Sequence, residues 1–558
     1  MAAEPFCPTE RVRNVRVFRR EDWLIYCALT ALNLAAVAVF LYRWLTFEGV
    51  SRHPLLFGAL TVSISVAIGM YEARWLTLPL MQRPLPMEAP LGLRVGVATT
   101  FVPSAEPLEM LAETVAGLVA MDYPHETWVL DEGDDPAVKD LCARLGAHHF
   151  SRAGRAEYQT ESGTFERRTK HGNYNAWLHE VGFDSYDVIV GFDPDHVPHR
   201  DFLQRTLGYL RDPSVGYVQA AQVYYNQPAS FIARGAAEET YAYYSSIQMT
   251  SYGLGYPIVT GCHHVHRSEA LREVGGFAAH EADDLLITIL YRAAGWRGVY
   301  VPEALAEGIT PVDWTGYLTQ QRRWARSVLD VKIRVFPRVA GKLPLVERIT
   351  SLLHGLYYLH GVAAMIGLLL LAWTLVSGRG SEVWGHLNAA GLLLIGLVLL
   401  TCDFFRYRFF LHPREEGGFH WRSGLLRQAK WPTVLVAVVD ATRPRRTDYT
   451  ITAKSRQPPR RALLVVPHGA VVVVIGVAML IRPSLDVVHA LAALTVTISL
   501  LLVATTLRTY PAPYERALSE SRRGARSEQN RRLTAPAEPP RDAEAPTPGG
   551  TAGGRGIR

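Results

Sequence analysis

The segment Val188-Ile189-Val190-Gly191-Phe192-Asp193-Pro194-Asp195-His196 consists of a short apolar run followed by two carboxylates one residue apart. An apolar run of this length is typical of a buried β-strand, so Asp193 and Asp195 are expected at its carboxyl end. Two carboxylates placed in this way can share a hard divalent cation, which prefers oxygen ligands and phosphates. A solvated acidic turn would carry the same residues, and only their position after a strand favours the metal site.

Further strands and helices alternate along the chain around this segment. The patterns predict strands at 93–102, 127–130 and 186–192, and helices at 107–121 and 136–145. Such alternation indicates a parallel sheet with helices on both faces. Ligands of these sheets bind outside the carboxyl ends of the strands, which is where Asp131 and Asp193 lie.

The acidic segment 131–135 (DEGDD) has both a structural and a functional interpretation. We expect Asp134 and Asp135 to cap the following helix, because carboxylates are favourable at a helix N-terminus. Asp131 is still on the strand and is therefore the functional candidate.

Two later segments also have both a structural and a functional interpretation. Asp283 and Asp284 open a second amphipathic helix, where helix capping and chemistry are equally open interpretations. The segment 320–324 (QQRRW) places an amide, two cations and an indole within five residues. It is typical of a basic helix at a membrane surface. Arginine also binds diphosphates, and tryptophan is a platform for a sugar ring, so we expect both interpretations to hold.

Long apolar runs decide the class of protein. Six of them lack acidic and basic side chains over most of their length, at 23–42, 55–71, 349–377, 383–402, 462–481 and 487–507. A helix needs about 20 apolar residues to cross a bilayer. The sequence therefore predicts an integral membrane protein with about six spans rather than a soluble protein with buried helices or a cleaved signal peptide.

Loop charge predicts the orientation in the membrane. Arginines are concentrated before the first run and in 406–461, whereas the short loops at 43–54, 377–382 and 482–486 carry few. By the positive-inside rule, the N-terminus, the long central region and the C-terminus are cytoplasmic. The expected location is the cell (plasma) membrane, crossed several times, with the central domain in the cytoplasm.

Composition excludes several other classes. The chain of 558 residues is 49% hydrophobic and 20% charged, with a net charge of +6, so it is neither disordered nor collagen-like. The basic residues are clustered and form no single stripe, so no nucleic-acid partner is expected. The five cysteines share no metal-type or disulfide spacing, which makes a zinc site or a disulfide scaffold improbable.

Several motifs together resemble processive inverting glycosyltransferases of family 2, and most closely bacterial cellulose synthase catalytic subunits. The matching residues occur in the order Asp131, Asp193-Pro194-Asp195, Asp284 and Gln320-x-x-Arg323-Trp324. Supporting segments are 101–104 (FVPS), 170–173 (KHGN), 274–277 (VGGF) and 295–296 (GW), and 449–454 (YTITAK) is similar to the gating loop of that family. The chain departs from the pattern at Ala105, where an Asn is usual, and has Glu132, Asp283, Tyr449 and Ile451 in place of similar residues.

The resemblance implies an α/β Rossmann-like (GT-A) domain inserted into a membrane bundle of α-helices. The expected organisation is a basic N-terminus at 1–20, two spans within 21–82, the glycosyltransferase domain with interfacial helices at 90–340, two spans within 349–402, an interfacial helix and gating loop at 403–461, two spans within 462–507, and a disordered tail at 511–558. Two spans before the domain and four after it are fewer than in bacterial cellulose synthase and closer to hyaluronan synthase.

The resemblance also implies roles for individual residues. The donor implied by the resemblance is a nucleotide sugar, UDP-glucose. The residues expected to bind it are Asp131, Lys170, Asp193, Arg323, Thr452 and Lys454. Asp195 with Asp193 holds Mg²⁺ or Mn²⁺, and Asp284 is the general base. Trp324, Gln320 and Asp283 bind the acceptor, which is the nascent polysaccharide. The lipid bilayer is the second partner, and export or accessory subunits are left open.

Two alternatives remain beside a processive β-glucan synthase that moves its product across the membrane. A non-processive transferase would glycosylate a lipid carrier or headgroup, but the Q-x-x-R-W and gating-loop segments favour the synthase. A transporter with a regulatory cytoplasmic domain would show charges within its spans, and the cores of the six runs carry none.

The gating-loop interpretation can be tested at Lys454. We expect Lys454→Ala to raise the apparent KM for the nucleotide sugar, because the loop loses the charge that the diphosphate attracts. Initial rates over a range of donor concentrations measure the change, with Lys454→Arg as the control that keeps the charge. An unchanged KM in the alanine variant would show that this lysine does not approach the donor.

Overall fold

The computed structural model describes residues 10–46, 52–103, 105–386, 389–443, 460–484 and 486–507. The predicted gating loop at 449–454 and the tail predicted to be disordered at 511–558 lie outside these residues. Within the described part, the chain forms a mixed α/β domain and a set of long apolar helices.

Ten strands occur in the described residues, and eight of them form one sheet. Strands β1 (Asn14–Arg16) and β2 (Gln82–Pro84) pair as a separate antiparallel ribbon. The large sheet contains β3 (Val95–Phe101), β4 (Glu126–Asp131), β5 (His148–Phe150), β6 (Val188–Phe192), β7 (Val197–Pro198), β8 (Val215–Tyr224), β9 (His264–Arg267) and β10 (Arg297–Gly308). Its strand order is β5-β4-β3-β6-β9-β8-β10-β7.

The predicted strands β3, β4 and β6 run parallel as expected, but the whole sheet is mixed. Strands β3 to β6 run parallel to one another, and β8 runs parallel to β10. Strand β9 lies antiparallel between β6 and β8, and β7 pairs antiparallel with β10. An apolar run predicts that a strand is buried, but it carries no information about the direction in which the strand enters the sheet.

The strand that leads to Asp193 lies at the centre of the domain. All five residues of β6 are buried, and so are six of the seven residues of β3. Alternate residues of β6 point to opposite faces, so Val188 and Val190 join one hydrophobic core while Ile189 joins the other. Burial on both faces explains why the strand reads as a continuous apolar run.

The helices of the α/β domain follow the predicted pattern closely. The predictions at 107–121 and 136–145 are confirmed by Leu108–Val119 and Pro136–Leu145. The other main helices of this domain are Lys170–Trp177, Phe202–Leu207, Phe231–Ala242, Gln248–Gly253, Ser268–Glu273, Asp283–Ala293 and Trp314–Asp330. As predicted, the Asp135 side chain caps its helix, accepting a hydrogen bond from the Ala137 N–H at 2.8 Å. Asp134 instead pairs with Lys139 at 2.8 Å.

Five helical segments of the described residues are long and apolar enough to cross a membrane. They are Arg20–Leu45, Pro54–Leu80, Leu345–Ser377, Ala462–Ile481 and Val487–Thr506. Of the predicted run at 383–402, the described residues lie in helices Ser381–His386 and Ala389–Tyr407, and 387–388 are outside the described part. The number of spans and their insertion in a bilayer therefore remain predictions.

Two shorter helices, Trp421–Ala429 and Trp431–Thr442, connect the apolar helices to the α/β domain. Between them, Lys430 is buried and donates to both carboxylate oxygens of Glu239 at 2.9 and 3.0 Å and to Gln321 at 3.0 Å. Tyr317 donates to the same glutamate at 2.7 Å. Because a buried charge is stable only when paired, this cluster fixes helix Trp314–Asp330 against the 421–442 segment.

Candidate functional site at the carboxyl edge of the sheet

The predicted acidic residues lie at the ends of neighbouring strands. Asp131 is the last residue of β4, and Asp193 directly follows β6, with β3 between the two strands. Asp283 and Asp284 begin helix Asp283–Ala293. Asp193 and Lys170 both influence the charge of Asp283, and Lys170 and Arg323 influence that of Asp284, so these side chains share one electrostatic site.

Asp131 is fully buried and orders its own loop. Its carboxylate accepts hydrogen bonds from the backbone N–H groups of Gly133 at 2.8 Å and Asp135 at 2.5 Å. His149 lies at 3.2 Å from the second carboxylate oxygen. Asp131 therefore sets the shape of the 131–135 turn, and a direct role toward a ligand remains a prediction.

Lys170 joins the two halves of the site. Its ammonium group donates to Asp193 Oδ1 at 2.5 Å and to the carbonyl of Gly261 at 2.5 Å. The side chain is mostly buried, whereas Asp193 is about one-third exposed, at 31%. A positive charge is thus held beside the exposed carboxylate, at the place where an anionic ligand would meet the strand end.

Asp195 is buried and is held by a network of hydrogen-bonded side chains. Its Oδ1 lies 3.1 Å from His196 Nδ1, and His196 Nε2 lies 2.7 Å from the amide nitrogen of Gln222. Tyr244 donates to the other end of that amide at 2.6 Å. Both ring nitrogens of His196 are thus engaged, Nδ1 with Asp195 and Nε2 with Gln222.

Space for this histidine comes from Gly308 on β10. A Cβ atom at that position would lie 2.0 Å from His196 Nε2, far inside van der Waals contact. The absence of a side chain at Gly308 therefore allows the ring to stand between Asp195 and Gln222.

Asp283 and Asp284 are a pair of adjacent carboxylates in a site of low polarity. Burial raises the pKa of Asp284, the neighbouring charge of Asp283 raises it further, and together they bring it to about 7. Burial likewise raises the pKa of Asp283, partly offset by Lys170. Asp283 also accepts a hydrogen bond from the Asp284 N–H at 3.0 Å, but the N-cap position is Ala282 and has no side-chain cap, so Asp283 is not the helix cap. A carboxylate with a pKa near neutrality is suited to accept a proton.

The start of this helix is fastened to the helix that carries the 320–324 segment. His280 accepts a hydrogen bond from the Ala282 N–H at 2.9 Å through Nδ1, which leaves Nε2 to donate to Asp330 at 3.0 Å. Glu281 forms an ion pair with Arg326. These two contacts fix the position of Asp284 relative to helix Trp314–Asp330.

The residues of the 320–324 segment take different roles. Gln321 is buried against Lys430, and Arg322 pairs with Asp440 at 2.6 Å, so both are structural. Arg323 is close enough to Asp284 to lower the pKa of that carboxyl. Trp324 is half-buried and packs against the core that also contains the Asp284 helix. Gln320 is half-buried on the same helix. Thr452 and Lys454 lie outside the described residues.

Sequence reasoning missed Arg152, which is fully buried and organises the loop before Lys170. Its guanidinium donates to both carboxylate oxygens of Glu132 at 3.0 and 2.9 Å. It also donates to four backbone carbonyl groups, those of Tyr158, Phe165, Glu166 and Thr169. Nothing in the local pattern marks this arginine, because its partners come from separate parts of the chain. His196 and Gln222 were missed for the same reason, although His196 directly follows the predicted metal ligand.

Comparison with known proteins finds similarity to glycosyltransferases over the part of the chain that contains this site. Residues 96–327 match the family described as glycosyltransferase like family 2. The cellulose synthase catalytic subunit (UDP-forming) of Xanthomonas axonopodis pv. citri is 27% identical over 299 residues, covering 52% of this chain and 39% of that protein. The corresponding subunit of Pseudomonas fluorescens is 25% identical over 372 residues, covering 63% and 47%. The matches thus span less than half the length of these two relatives.

A more distant likeness exists among solved structures. A mannosyltransferase from Pyrobaculum calidifontis, in complex with GDP-Man and Mn²⁺, covers 74% of this chain and 99% of that chain. The TM-score is 0.45 and the sequence identity 19%, which is too distant to assign anything to this protein.

The role of Arg152 gives a prediction for stability. Arg152→Met should lower the free energy of unfolding by about 3 kcal/mol, because Glu132 and several buried carbonyl groups lose their partner. Thermal unfolding of the purified protein measures the loss, and limited proteolysis should show new cleavage within 153–168.

The matched control is Arg167→Met, which removes an exposed ion pair with Glu161. Exposed pairs contribute at most about 1 kcal/mol, so this variant should unfold close to the wild type. Equal behaviour of the two variants would contradict the structural role assigned to Arg152.

Proposed function

We propose that this chain transfers a sugar from a nucleotide sugar to a growing β-linked polysaccharide, because residues 96–327 match glycosyltransferase like family 2 and cellulose synthase catalytic subunits are among its relatives. UDP-glucose is the donor we propose. The observation that carries the proposal is the common electrostatic site of Asp193, Lys170, Asp283, Asp284 and Arg323 at the carboxyl edge of the sheet.

The residues around Asp195 fit a divalent cation. One ligand atom each of Asp193, Asp195 and His196 lies within 4.8 Å of the other two. Two carboxylates and an imidazole suit Mg²⁺ or Mn²⁺, the ions that we propose. When bound, such an ion offsets the negative charge that develops on the departing nucleotide diphosphate. Lys170, bonded to Asp193, adds a fixed positive charge on the same side.

Asp284 is the proposed general base. Its raised pKa, about 7, makes the carboxylate a ready proton acceptor near neutral pH without preventing its ionisation. It takes the proton from the acceptor hydroxyl while that oxygen attacks the anomeric carbon of the donor. Attack from the face opposite the leaving diphosphate inverts the anomeric configuration, so an α-linked donor gives a β-linked product.

The helix Trp314–Asp330 supplies the acceptor side of the site. Arg323 assists the diphosphate, since its charge already acts on Asp284. Trp324 stacks on the terminal sugar of the nascent chain, with Gln320 and Asp283 as further acceptor contacts. Asp131 supports the nucleotide by holding the 131–135 turn. Thr452 and Lys454 close over the nucleotide.

The apolar helices support a role in export. Five helical segments of the described residues have the length and composition of membrane spans. We propose that the chain crosses the plasma membrane several times, with the α/β domain in the cytoplasm, and that the spans conduct the polysaccharide outward. Export or accessory subunits are left open.

The metal site is tested by Asp195→Asn. This variant should lose transfer, and chelation by EDTA should abolish wild-type activity until Mg²⁺ or Mn²⁺ is restored. Release of UDP from UDP-glucose measures the rate, and Mn²⁺ binding followed by electron paramagnetic resonance gives a readout that does not depend on turnover. The control is Asp122→Asn, which alters only an exposed pair with Arg200. Full activity in the presence of EDTA would contradict the site.

The hydrogen-bonded side chains that hold Asp195 predict a graded loss of metal affinity. Gln222→Leu removes the donor to His196 and should weaken Mn²⁺ binding by roughly 10- to 100-fold, the range known for residues that orient metal ligands. Because the carboxylates remain, saturating Mn²⁺ should restore most of the maximal rate. A loss of rate that saturating metal does not restore would show that Gln222 is needed for the fold alone.

The base is tested by the pH dependence of the rate. Asp284 acts when deprotonated, so the wild-type rate should fall about tenfold per unit as the pH drops below about 7. Asp284→Asn should reduce the rate by roughly 10²–10⁴-fold and remove this limb, while donor affinity changes much less. Asp184→Asn, at an exposed ion pair, is the control. A pH limb that persists in the Asp284 variant would assign it to another group.

Acceptor binding is tested at Trp324. Ring stacking contributes on the order of 1 kcal/mol, so Trp324→Ala should cut polymer yield by roughly fivefold, with hydrolysis of the donor reduced less. Trp324→Phe keeps a ring and should retain most of the yield. Gel filtration of the product measures its size. A discrete glycolipid from the wild-type protein would support a non-processive transferase instead.

A further inference from the structure

A second cluster of metal-binding side chains lies beside Asp195. His196, Cys262 and His263 are all buried, with exposures of 2%, 0% and 0%. One ligand atom of each lies within 4.8 Å of the others. The spacing of the cysteines in the sequence predicts no zinc site, but here the cluster is assembled in space. The turn after β6 supplies one ligand, and the segment before β9 supplies the other two.

One ring nitrogen of His263 has no hydrogen-bond partner in the part of the chain that the structure describes. Its Nδ1 lies 3.1 Å from the carbonyl oxygen of Ala221 and must donate to it, since a carbonyl only accepts. Its Nε2 therefore carries a lone pair, and this buried atom has no partner among the described residues. An unsatisfied buried polar atom costs about 1–3 kcal/mol. A histidine whose one nitrogen donates to a carbonyl while the other points into the protein is arranged as metal ligands are.

Cys262 supplies a sulfur ligand to the same place. It is a free cysteine, and its Sγ accepts a hydrogen bond from the Asp193 N–H at 3.1 Å. A cysteine sulfur is a ligand that zinc prefers, and binding of the metal itself releases the thiol proton. The same N–H belongs to the residue that follows β6, so the thiol and the acidic turn are directly connected.

His196 is the third ligand, and its ring also belongs to the hydrogen-bond network that holds Asp195. Its two ring nitrogens contact Asp195 and Gln222 at 3.1 and 2.7 Å. A metal bound to this ring replaces one of these contacts. Occupation of the cluster therefore changes how Asp195 is held.

From these observations we infer that His196, Cys262 and His263 bind a thiophilic divalent cation, with Zn²⁺ the best match. One thiolate and two imidazoles suit zinc, with a fourth position left for water. The Asp193–Asp195 pair differs in chemistry, because its oxygen ligands favour Mg²⁺ or Mn²⁺. The two sites share His196, but they are distinguishable because only the zinc site includes a sulfur ligand. The competing explanation is a buried water bonded to His263.

Cobalt is the probe that separates these explanations. Co²⁺ replaces Zn²⁺ in such sites, and a cobalt–thiolate bond gives a charge-transfer band in the near ultraviolet that oxygen ligands do not give. Purified full-length protein in detergent, freed of metal by chelation and dialysis, is titrated with Co²⁺. We expect one equivalent to produce the band and Zn²⁺ to displace it.

Variants then assign the ligands. Cys262→Ser should abolish the band, and His263→Asn should weaken cobalt binding at least tenfold. Asparagine suits the backbone at this position, where φ is 60°. The control is Cys142→Ser, a buried cysteine in a different core, which should leave the band unchanged.

The outcomes are decisive even if a variant fails to fold. The absence of a thiolate band in the wild-type protein, or its persistence in folded Cys262→Ser, would overturn the zinc site. A band lost only in Cys142→Ser would also overturn it. Loss of Mn²⁺ binding at Asp195 with the cobalt band intact would instead contradict the transfer site and leave this one standing.

Discussion

Repulsion among carboxylates at one edge of the sheet is the constraint on which the rest of the site depends. Asp193, Asp283 and Asp284 act on one another or on shared neighbours, and burial raises the pKa of the last two. Like charges in a site of low polarity cannot all ionise without a compensating cation. Lys170 supplies part of the compensation through its bond to Asp193. An anionic diphosphate adds further negative charge, which explains why we propose a divalent cation at Asp195.

The surrounding structure holds these charged groups against their repulsion. The Arg152–Glu132 pair and the carbonyl groups bonded to Arg152 fix the loop that leads to Lys170. The His280–Asp330 and Glu281–Arg326 contacts fix the start of the Asp284 helix. The cluster around Lys430 extends this support to the helices beyond the domain. Buried, paired charges therefore fix the positions of the site residues.

Much of the fold could be predicted because it depends on local patterns. The buried strand before Asp193 and the helix capped by Asp135 follow from apolar runs and capping chemistry. The segment 274–277 also has a local explanation, since Gly275 and Gly276 both have positive φ. The turn they form lets the Phe277 N–H donate to Asn175 at 2.8 Å.

Contacts between distant segments could not be predicted from such patterns. The antiparallel entry of β9, the Gln222–His196 contact and the burial of Arg152 all depend on residues that meet only after folding. Asp131 shows the limit most clearly. Its position at a strand end was read correctly, but the structure uses its carboxylate to bind two N–H groups of its own loop.

The most direct test of the metal site and the general base is a crystal structure of the full chain with Mn²⁺ and UDP. Anomalous scattering would locate the manganese. We expect the manganese to be coordinated by Asp195 and by the diphosphate. We also expect Asp284 to lie outside the coordination of the metal and to face the open acceptor side. Manganese bound to Asp284, or a diphosphate held away from Asp193 and Asp195, would contradict the assignment of metal site and base.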